Sequence, residues 1–178
     1  MGTSRRMTAQ GMPNVKLARG DEPRLLRAKL EVIGLSLPMT MWANPVWAFL
    51  SVIPFFFSSA PFGYVPGVRV AAVMGLHLFN SLVAAMLYRA YRRDSSDGRA
   101  WLKKLVLFQF YIGCTWGATI WLLWVHGNPA NNVFVIAPFI GLLWAYAMSR
   151  TMHVGVYLAA VLPVVSLGFL RAITSPGV

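Results

Sequence analysis

Three polar side chains within a long apolar segment are the residues of this chain best placed to do chemistry. His77, Asn80 and Ser81 are spaced three and four residues apart, which puts them on one face of a helix. An imidazole and an amide are costly in an apolar environment, so they usually face other helices there. The spacing therefore predicts a polar stripe that faces the interior of a helical bundle.

A pair of glycines in the next apolar segment could form the surface against which that polar stripe packs. The run Gly113-Cys-Thr-Trp-Gly117 is a GxxxG pair, which lets a neighbouring helix backbone approach closely. A rise of about 1.5 Å per residue from each segment end puts His77 level with Thr115, and Asn80 near Gly113 and Cys114. We therefore expect the stripe to pack into the glycine groove.

Two other interpretations of the same residues stay open. The first is a pocket for a small ligand, lined by His77, Asn80, Thr115, Trp116 and Trp144. The second is axial ligation of a haem or a chlorophyll-type pigment by His77. A bis-histidine haem would need a second histidine at the same depth, and His126 and His153 lie at opposite segment ends. No cofactor is predicted outright.

Catalytic groupings are missing from the sequence. The apolar segments contain no carboxylate, whereas proton pumps and ion-coupled transporters usually carry one in the membrane. A Walker loop, a zinc-protease helix and a Ser-His-Asp arrangement are all absent. Cys114 is the only cysteine, which excludes an internal disulfide and cysteine-based metal sites. We expect a protein that is not an enzyme and has no catalytic residue and no metal site.

The elements that carry these residues are long apolar runs. The chain has 178 residues, of which 57% are hydrophobic and 12% charged. Five runs approach the ~20 residues that cross a bilayer as a helix, namely Leu37–Phe57, Gly67–Tyr88, Leu105–Val125, Val133–Ser149 and Val154–Leu170. The prediction is an all-α polytopic transmembrane bundle, with one alternative left open: the proline-interrupted first run could be one span or a hairpin.

These runs divide the chain into four regions. Residues 1–22 form a basic cytoplasmic tail, and residues 23–36 form an interfacial helix that begins after acidic residues and a proline. Residues 37–172 form the transmembrane domain, and residues 173–178 a short C-terminal tail.

The positive charges predict an orientation. Five crossings with the N-terminus in the cytoplasm place fourteen of the sixteen Lys and Arg inside, and only Arg69 and Arg171 outside. The loop between the second and third spans supplies the predicted anchors to lipid headgroups, Arg89, Arg92, Arg93, Lys103 and Lys104. The net charge of +11 does not predict nucleic-acid binding, because no soluble domain remains to present a basic face.

Several short motifs are spread along the apolar part of the chain, namely Asn44-Pro45, Tyr88-Arg-Ala-Tyr-Arg-Arg93, Trp101, Gly113–Gly117 and Leu162-Pro163. In these residues, from about Ala28 to Thr174, the chain resembles the polytopic N-terminal membrane module of bacterial sensor histidine kinases and diguanylate cyclases. The resemblance implies a module that senses or anchors and lies in a bacterial inner membrane as a multi-pass protein. The family's output domain has no counterpart in this sequence, and neither does its phosphoacceptor histidine or its cyclase signature, so the resemblance implies membrane architecture without enzyme activity.

These observations predict an accessory or scaffold subunit of a larger membrane complex, an energy-transducing complex being one example. Its partners would be membrane lipids and other integral membrane subunits, contacted through helix faces rich in small and aromatic residues. The alternatives are a sensory or anchoring module that binds a small apolar ligand, and a pigment or haem carrier that uses His77.

Overall fold

The described part of the chain is helical. The computed structural model describes residues 22–57, 61–150 and 153–175, and no strand occurs within them. The helices are α1 (Glu22–Val52), α2 (Pro54–Phe57), α3 (Gly67–Arg93), α4 (Gly98–Leu123), α5 (Pro129–Arg150) and α6 (Val154–Ile173). Apart from Glu22, the predicted basic tail lies outside the described residues, as do residues 176–178 of the predicted C-terminal tail.

Three of these helices, α3, α4 and α6, are long and apolar enough to cross a membrane. In α5 the apolar stretch Pro129–Trp144 is shorter. The longest helix, α1, carries Pro38, Asn44 and Pro45, which dilute its apolar character. The structure thus agrees with an all-α protein of membrane-helix character, and the count of five spans stays a prediction.

The residues of the predicted interfacial helix (23–36) and most of those of the predicted first span (37–57) belong to one helix. One helix, α1, runs through both and ends at Val52, followed by a turn and the short α2. The reason is a continuous buried face, because buried residues recur every three to four positions on both sides of residue 36. These residues are Leu30, Ile33, Leu37, Thr40, Asn44 and Ala48.

Helix α4 is the most buried of the three long apolar helices. In its most apolar stretch of 18 residues 56% is buried, against 28% in α3 and 22% in α6. It begins at Gly98, seven residues before the predicted start at Leu105. The cause is an N-cap, because the Asp97 carboxylate accepts a hydrogen bond from the Ala100 N–H at 3.0 Å. A prediction from hydropathy alone therefore places the start of α4 too late, at a residue that lies inside the helix.

Helix directions follow from the contacts of α4. A Cβ atom added at Gly113 would meet Ala160 of α6, and one added at Gly117 would meet Leu167. Residue numbers therefore increase in the same direction along α4 and α6, and the two helices are parallel. Contacts from Gly98 to Leu30 and from Trp116 to Asn44 make α1 parallel to α4 as well. Helix α3 runs the opposite way, because His77 meets Thr119 and Asn80 meets Thr115.

Candidate functional site

A cluster of buried polar side chains lies where α1, α3 and α4 meet. Helix α3 contributes His77 and Asn80, α1 contributes Asn44, and α4 contributes two threonines and a tryptophan. All of them are buried in the bundle. Buried polar groups in an apolar core are normally hydrogen-bonded, so their bonding pattern decides what the cluster can do.

His77 is held by a chain of two hydrogen bonds. Its Nε2 lies 3.0 Å from the Thr119 hydroxyl oxygen, and the Thr119 hydroxyl donates to the Thr115 carbonyl oxygen at 3.0 Å. A hydroxyl has only one hydrogen, so when that hydrogen is on the Thr115 carbonyl oxygen, the Thr119 oxygen accepts from His77. In this tautomer the imidazole proton is on Nε2 and Nδ1 is an acceptor. Nδ1 forms no hydrogen bond within the described chain.

Trp116 closes the cluster against α1 and α5. Its ring centroid lies 4.1 Å from that of His77, and it packs edge-on against Phe139 at 5.5 Å. The indole N–H donates to the Asn44 Oδ1 at 3.4 Å, which fixes the orientation of the Asn44 amide because indole can only donate. The Asn44 NH2 group is left without a partner in the described residues.

The Asn80 amide contacts Thr115. The Thr115 hydroxyl oxygen lies 3.4 Å from Asn80 Oδ1 and 3.0 Å from the Tyr111 carbonyl oxygen. The single hydrogen of the Thr115 hydroxyl suits the shorter bond, to the Tyr111 carbonyl oxygen. With the oxygen and nitrogen of the Asn80 amide exchanged, Asn80 would then donate a hydrogen bond to the Thr115 oxygen. Either orientation leaves part of the Asn80 amide unpaired within the described chain.

The predicted depth of the polar stripe is off by up to one helical turn. The sequence predicts His77 level with Thr115, and Asn80 near Gly113 and Cys114. The structure pairs His77 with Thr119 and Asn80 with Thr115, offsets of four residues and of one to two residues. Counting the rise from each end treats the two helices as upright and unstaggered, and four residues of offset correspond to roughly 6 Å.

The predicted partner of the glycine groove is wrong. Gly113 and Gly117 face α6, where an added Cβ would overlap the Ala160 carbonyl oxygen and the Leu167 side chain. The polar stripe of α3 meets the threonines of α4 instead. Adjacent positions on one helix point to different neighbours, so a GxxxG pair identifies a close contact and does not identify its partner.

Two other predicted site residues lie elsewhere. Trp144 is 67% exposed and has no part in the cluster. The Ser81 hydroxyl donates to the His77 carbonyl oxygen at 3.0 Å within its own helix, so it contacts no neighbouring helix through that group. The predicted pocket of five residues therefore reduces to His77, Asn80, Thr115 and Trp116, with Asn44 and Thr119 added.

Asn44 and Thr119 are the cluster members that the site prediction missed. Asn44 stands out in the sequence as an amide within an apolar run, and this was the available signal. Thr119 stands four residues after Thr115, so it lies on the same helix face. A second buried amide, Gln109 of α4, has neither amide atom hydrogen-bonded within the described chain.

The cluster does not fit a haem or a chlorophyll-type pigment. An axial ligand must present an unshared ring nitrogen to a space as wide as the macrocycle. His77 Nε2 is occupied by Thr119, Nδ1 is unpaired but enclosed in the bundle, and the ring packs against Trp116 with no part of the residue exposed. A macrocycle would have to displace the tryptophan that also binds Asn44.

The predicted anchors form a basic surface at one end of the bundle. Arg89, Arg92, Arg93, Lys103 and Lys104 are all exposed, around the loop that joins α3 to α4. The Lys104 ammonium lies 4.4 Å from the centroid of the Trp101 ring. In the loop, hydrogen bonds from the Ser96 N–H and hydroxyl lower the pKa of Asp94 from its ordinary value.

Comparison of the chain with protein-family models, with curated proteins and with solved structures finds no match. The buried cluster and the outer surfaces of the bundle are therefore the features from which a function can be inferred.

Proposed function

We propose that this protein is a non-enzymatic accessory or scaffold subunit of a larger membrane complex and binds its partners through lateral helix contacts. The observation that carries the proposal is a pair of outward-facing glycines, Gly75 in α3 and Gly141 in α5. A Cβ placed at either position would meet no atom within 4 Å. Both residues are exposed.

The glycines of α4 illustrate the use of such positions. Gly113 and Gly117 are packed against α6, so the missing Cβ is what allows the close approach. Gly75 and Gly141 also cost about 1 kcal/mol each in helix propensity relative to alanine. No described helix lies close enough to either of them to benefit from the missing side chain. Each follows an exposed alanine by four residues, Ala71 and Ala137 respectively, which completes a small-xxx-small pattern.

The membrane placement in this proposal is five crossings of a bacterial inner membrane with a cytoplasmic N-terminus. Parallel directions of α1, α4 and α6, with α3 opposed, agree with a chain that alternates direction at each crossing. The exposed basic residues around the α3–α4 loop would then meet the anionic cytoplasmic leaflet.

Purification from native membranes in mild detergent tests this function. The chain is expected to bring stoichiometric membrane partners, and Gly75→Leu and Gly141→Leu are expected to release them because a large side chain blocks helix approach. Gly67→Leu is the matched control, because Gly67 is also exposed in open space but lies at the first residue of α3. A wild-type chain that purifies without partners, or equal effects of all three substitutions, contradicts the proposal.

The unpaired atoms of the buried cluster support a second candidate, a sensory module that binds a small apolar ligand. Asn44 offers a donor and His77 Nδ1 an acceptor, with Trp116 between their helices. A short-chain benzoquinone is a suitable probe, because its carbonyl oxygens would accept from Asn44. It is expected to raise the unfolding temperature of the wild type and not of Asn44→Leu. A rise of equal size in both proteins contradicts a ligand site at this cluster.

A further inference from the structure

A groove separates α1 from α3 at the end of the bundle that carries the basic loop. Its volume is about 290 Å3. Helix α1 lines it with Arg27, Glu31 and Gly34, and helix α3 with Tyr88, Tyr91 and Arg92. It lies apart from the buried polar cluster and from the outward glycines.

The groove is a built feature of the helix pair. A Cβ at Gly34 would lie 2.5 Å from Cε1 of Tyr91, so this glycine lets the Tyr91 ring lie against α1. The opposite side of the tyrosine packs edge-on against Trp101, with ring centroids 5.2 Å apart. The Trp101 indole N–H donates to the Asp94 carbonyl oxygen at 2.7 Å. One wall of the groove is thereby fixed by four residues from α1, α3, α4 and the loop before α4.

The charged groups of the groove form no hydrogen bond or ion pair with another described residue. Arg27, Glu31 and Arg92 are all exposed, and the charges of Arg27 and Glu31 act on the neighbouring Tyr91 hydroxyl only through space. Two guanidinium groups suit a phosphate, which they bind through paired hydrogen bonds. The groove is also lined by the Glu31 carboxylate and by two tyrosines, which suits an ammonium group because it is attracted both to a carboxylate and to aromatic faces.

An apolar track leads away from the groove along α1. Leu35 lines the groove, and it is followed on the same helix face by Met39, Trp42 and Val46. All four side chains are more than half exposed, at 61%, 74%, 70% and 54%. A ligand with a charged end and a long apolar end would contact both the groove and this track.

We propose that the groove binds the headgroup of an aminophospholipid, a class of lipid that carries a phosphodiester and a primary ammonium. The phosphodiester lies between Arg27 and Arg92, the ammonium lies against Glu31, and an acyl chain follows Leu35 and Met39. A lipid with an anionic headgroup and no ammonium would leave Glu31 beside a negative charge, which is unfavourable.

Native mass spectrometry of the full chain, extracted into detergent with added lipid, tests the site. The probes are phosphatidylethanolamine and phosphatidylglycerol of matched acyl chains. The wild type is expected to retain phosphatidylethanolamine about fivefold better than phosphatidylglycerol, and Arg27→Gln with Arg92→Gln to reduce its retention about tenfold. Glu31→Gln is expected to remove the preference between the two lipids without removing binding.

The matched control is Arg24→Gln with Arg99→Gln, which removes the same charge from exposed positions of α1 and α4 outside the groove lining. It is expected to change retention by no more than about twofold, since diffuse attraction to the surface is shared among many cations. Equal losses in the two double variants overturn the site, as does equal or better retention of phosphatidylglycerol by the wild type. Displacement of the lipid by equimolar soluble phosphoethanolamine overturns it too, because it assigns the groove to a soluble phosphate compound. Thermal unfolding of each variant shows whether a loss reflects the groove or the fold.

Discussion

Helix α4 contacts its neighbours in two different ways. Towards α6 it presents glycines, and the contact is an approach of backbone to backbone in which Gly113 lies against Ala160. Towards α1 and α3 it presents Thr115, Trp116 and Thr119, and the contact is made by hydrogen bonds and aromatic rings. The contact of α4 with α6 depends on glycines that have no side chain. The contacts of α4 with α1 and α3 depend on particular hydrogen-bond donors and acceptors. Substitutions should therefore act on the two sides in different ways.

The largest effect is expected from Gly113→Ala. The added methyl group would overlap the Ala160 carbonyl oxygen, and a backbone atom cannot rotate away as a side chain can. We expect a loss of about 3 kcal/mol in the free energy of unfolding, the upper end for overpacking. Thermal unfolding in detergent measures it, with Gly141→Ala as a control in open space. Equal stability of the two variants would show that α4 and α6 are not in close contact.

A smaller effect is expected from Gly117→Ala. The added methyl group would meet the Leu167 side chain, with Cδ1 at 2.5 Å and Cβ at 2.8 Å. Leu167 can change rotamer in part, so we expect a loss of about 1–2 kcal/mol. In the background of Leu167→Ala the same substitution is expected to cost less. Strictly additive losses in this double-mutant cycle would place the two residues apart.

Thr119→Val tests the hydrogen-bonded side. Valine has nearly the shape of threonine and removes the acceptor of the His77 N–H, so the expected loss is about 1 kcal/mol. Thr119→Ser keeps the hydroxyl and should retain most of the stability. If serine were as harmful as valine, the threonine methyl group and not its hydroxyl would be what matters.

The smallest effect is expected from Asn44→Leu. Leucine has nearly the shape of asparagine, so the Trp116 ring keeps its packing on His77 and Phe139, and only the 3.4 Å hydrogen bond from the indole N–H is removed. That distance is at the long end for such a bond, so a loss of about 0.5 kcal/mol is expected. Trp116→Ala is the comparison, with a loss of about 3 kcal/mol or more because it leaves a cavity. Similar losses from the two variants would make the indole N–H the important group.

Sequence periodicity predicts the helices better than it predicts their neighbours. Helix α3 begins at Gly67 and α6 at Val154, as expected from where the apolar runs begin. Helix α4 begins earlier than expected because a cap at Asp97, and not hydropathy, starts it. The predicted first run, Leu37–Phe57, is helical through Pro38 and Pro45, and α1 ends at Val52, just before Pro54, which has no N–H to continue the helix.

The candidate site is predictable in its members and not in its geometry. A histidine and an asparagine in an apolar segment indicate interior polar contacts, and both residues are buried. Their partners depend on the stagger between helices, which is set by tertiary packing and has no local signature. For the same reason Gly113 and Gly117 could be assigned to a close contact but not to α6.

The loop between α3 and α4 has a consequence for how the protein is made. The Asp94 carboxylate accepts from Ser96, Asp97 caps α4, and the Trp101 indole donates to the Asp94 carbonyl oxygen. None of these bonds joins residues more than seven positions apart in the chain. This turn can therefore close during translation, before α5 and α6 are synthesised, and it can hold α3 and α4 as a hairpin from that stage on.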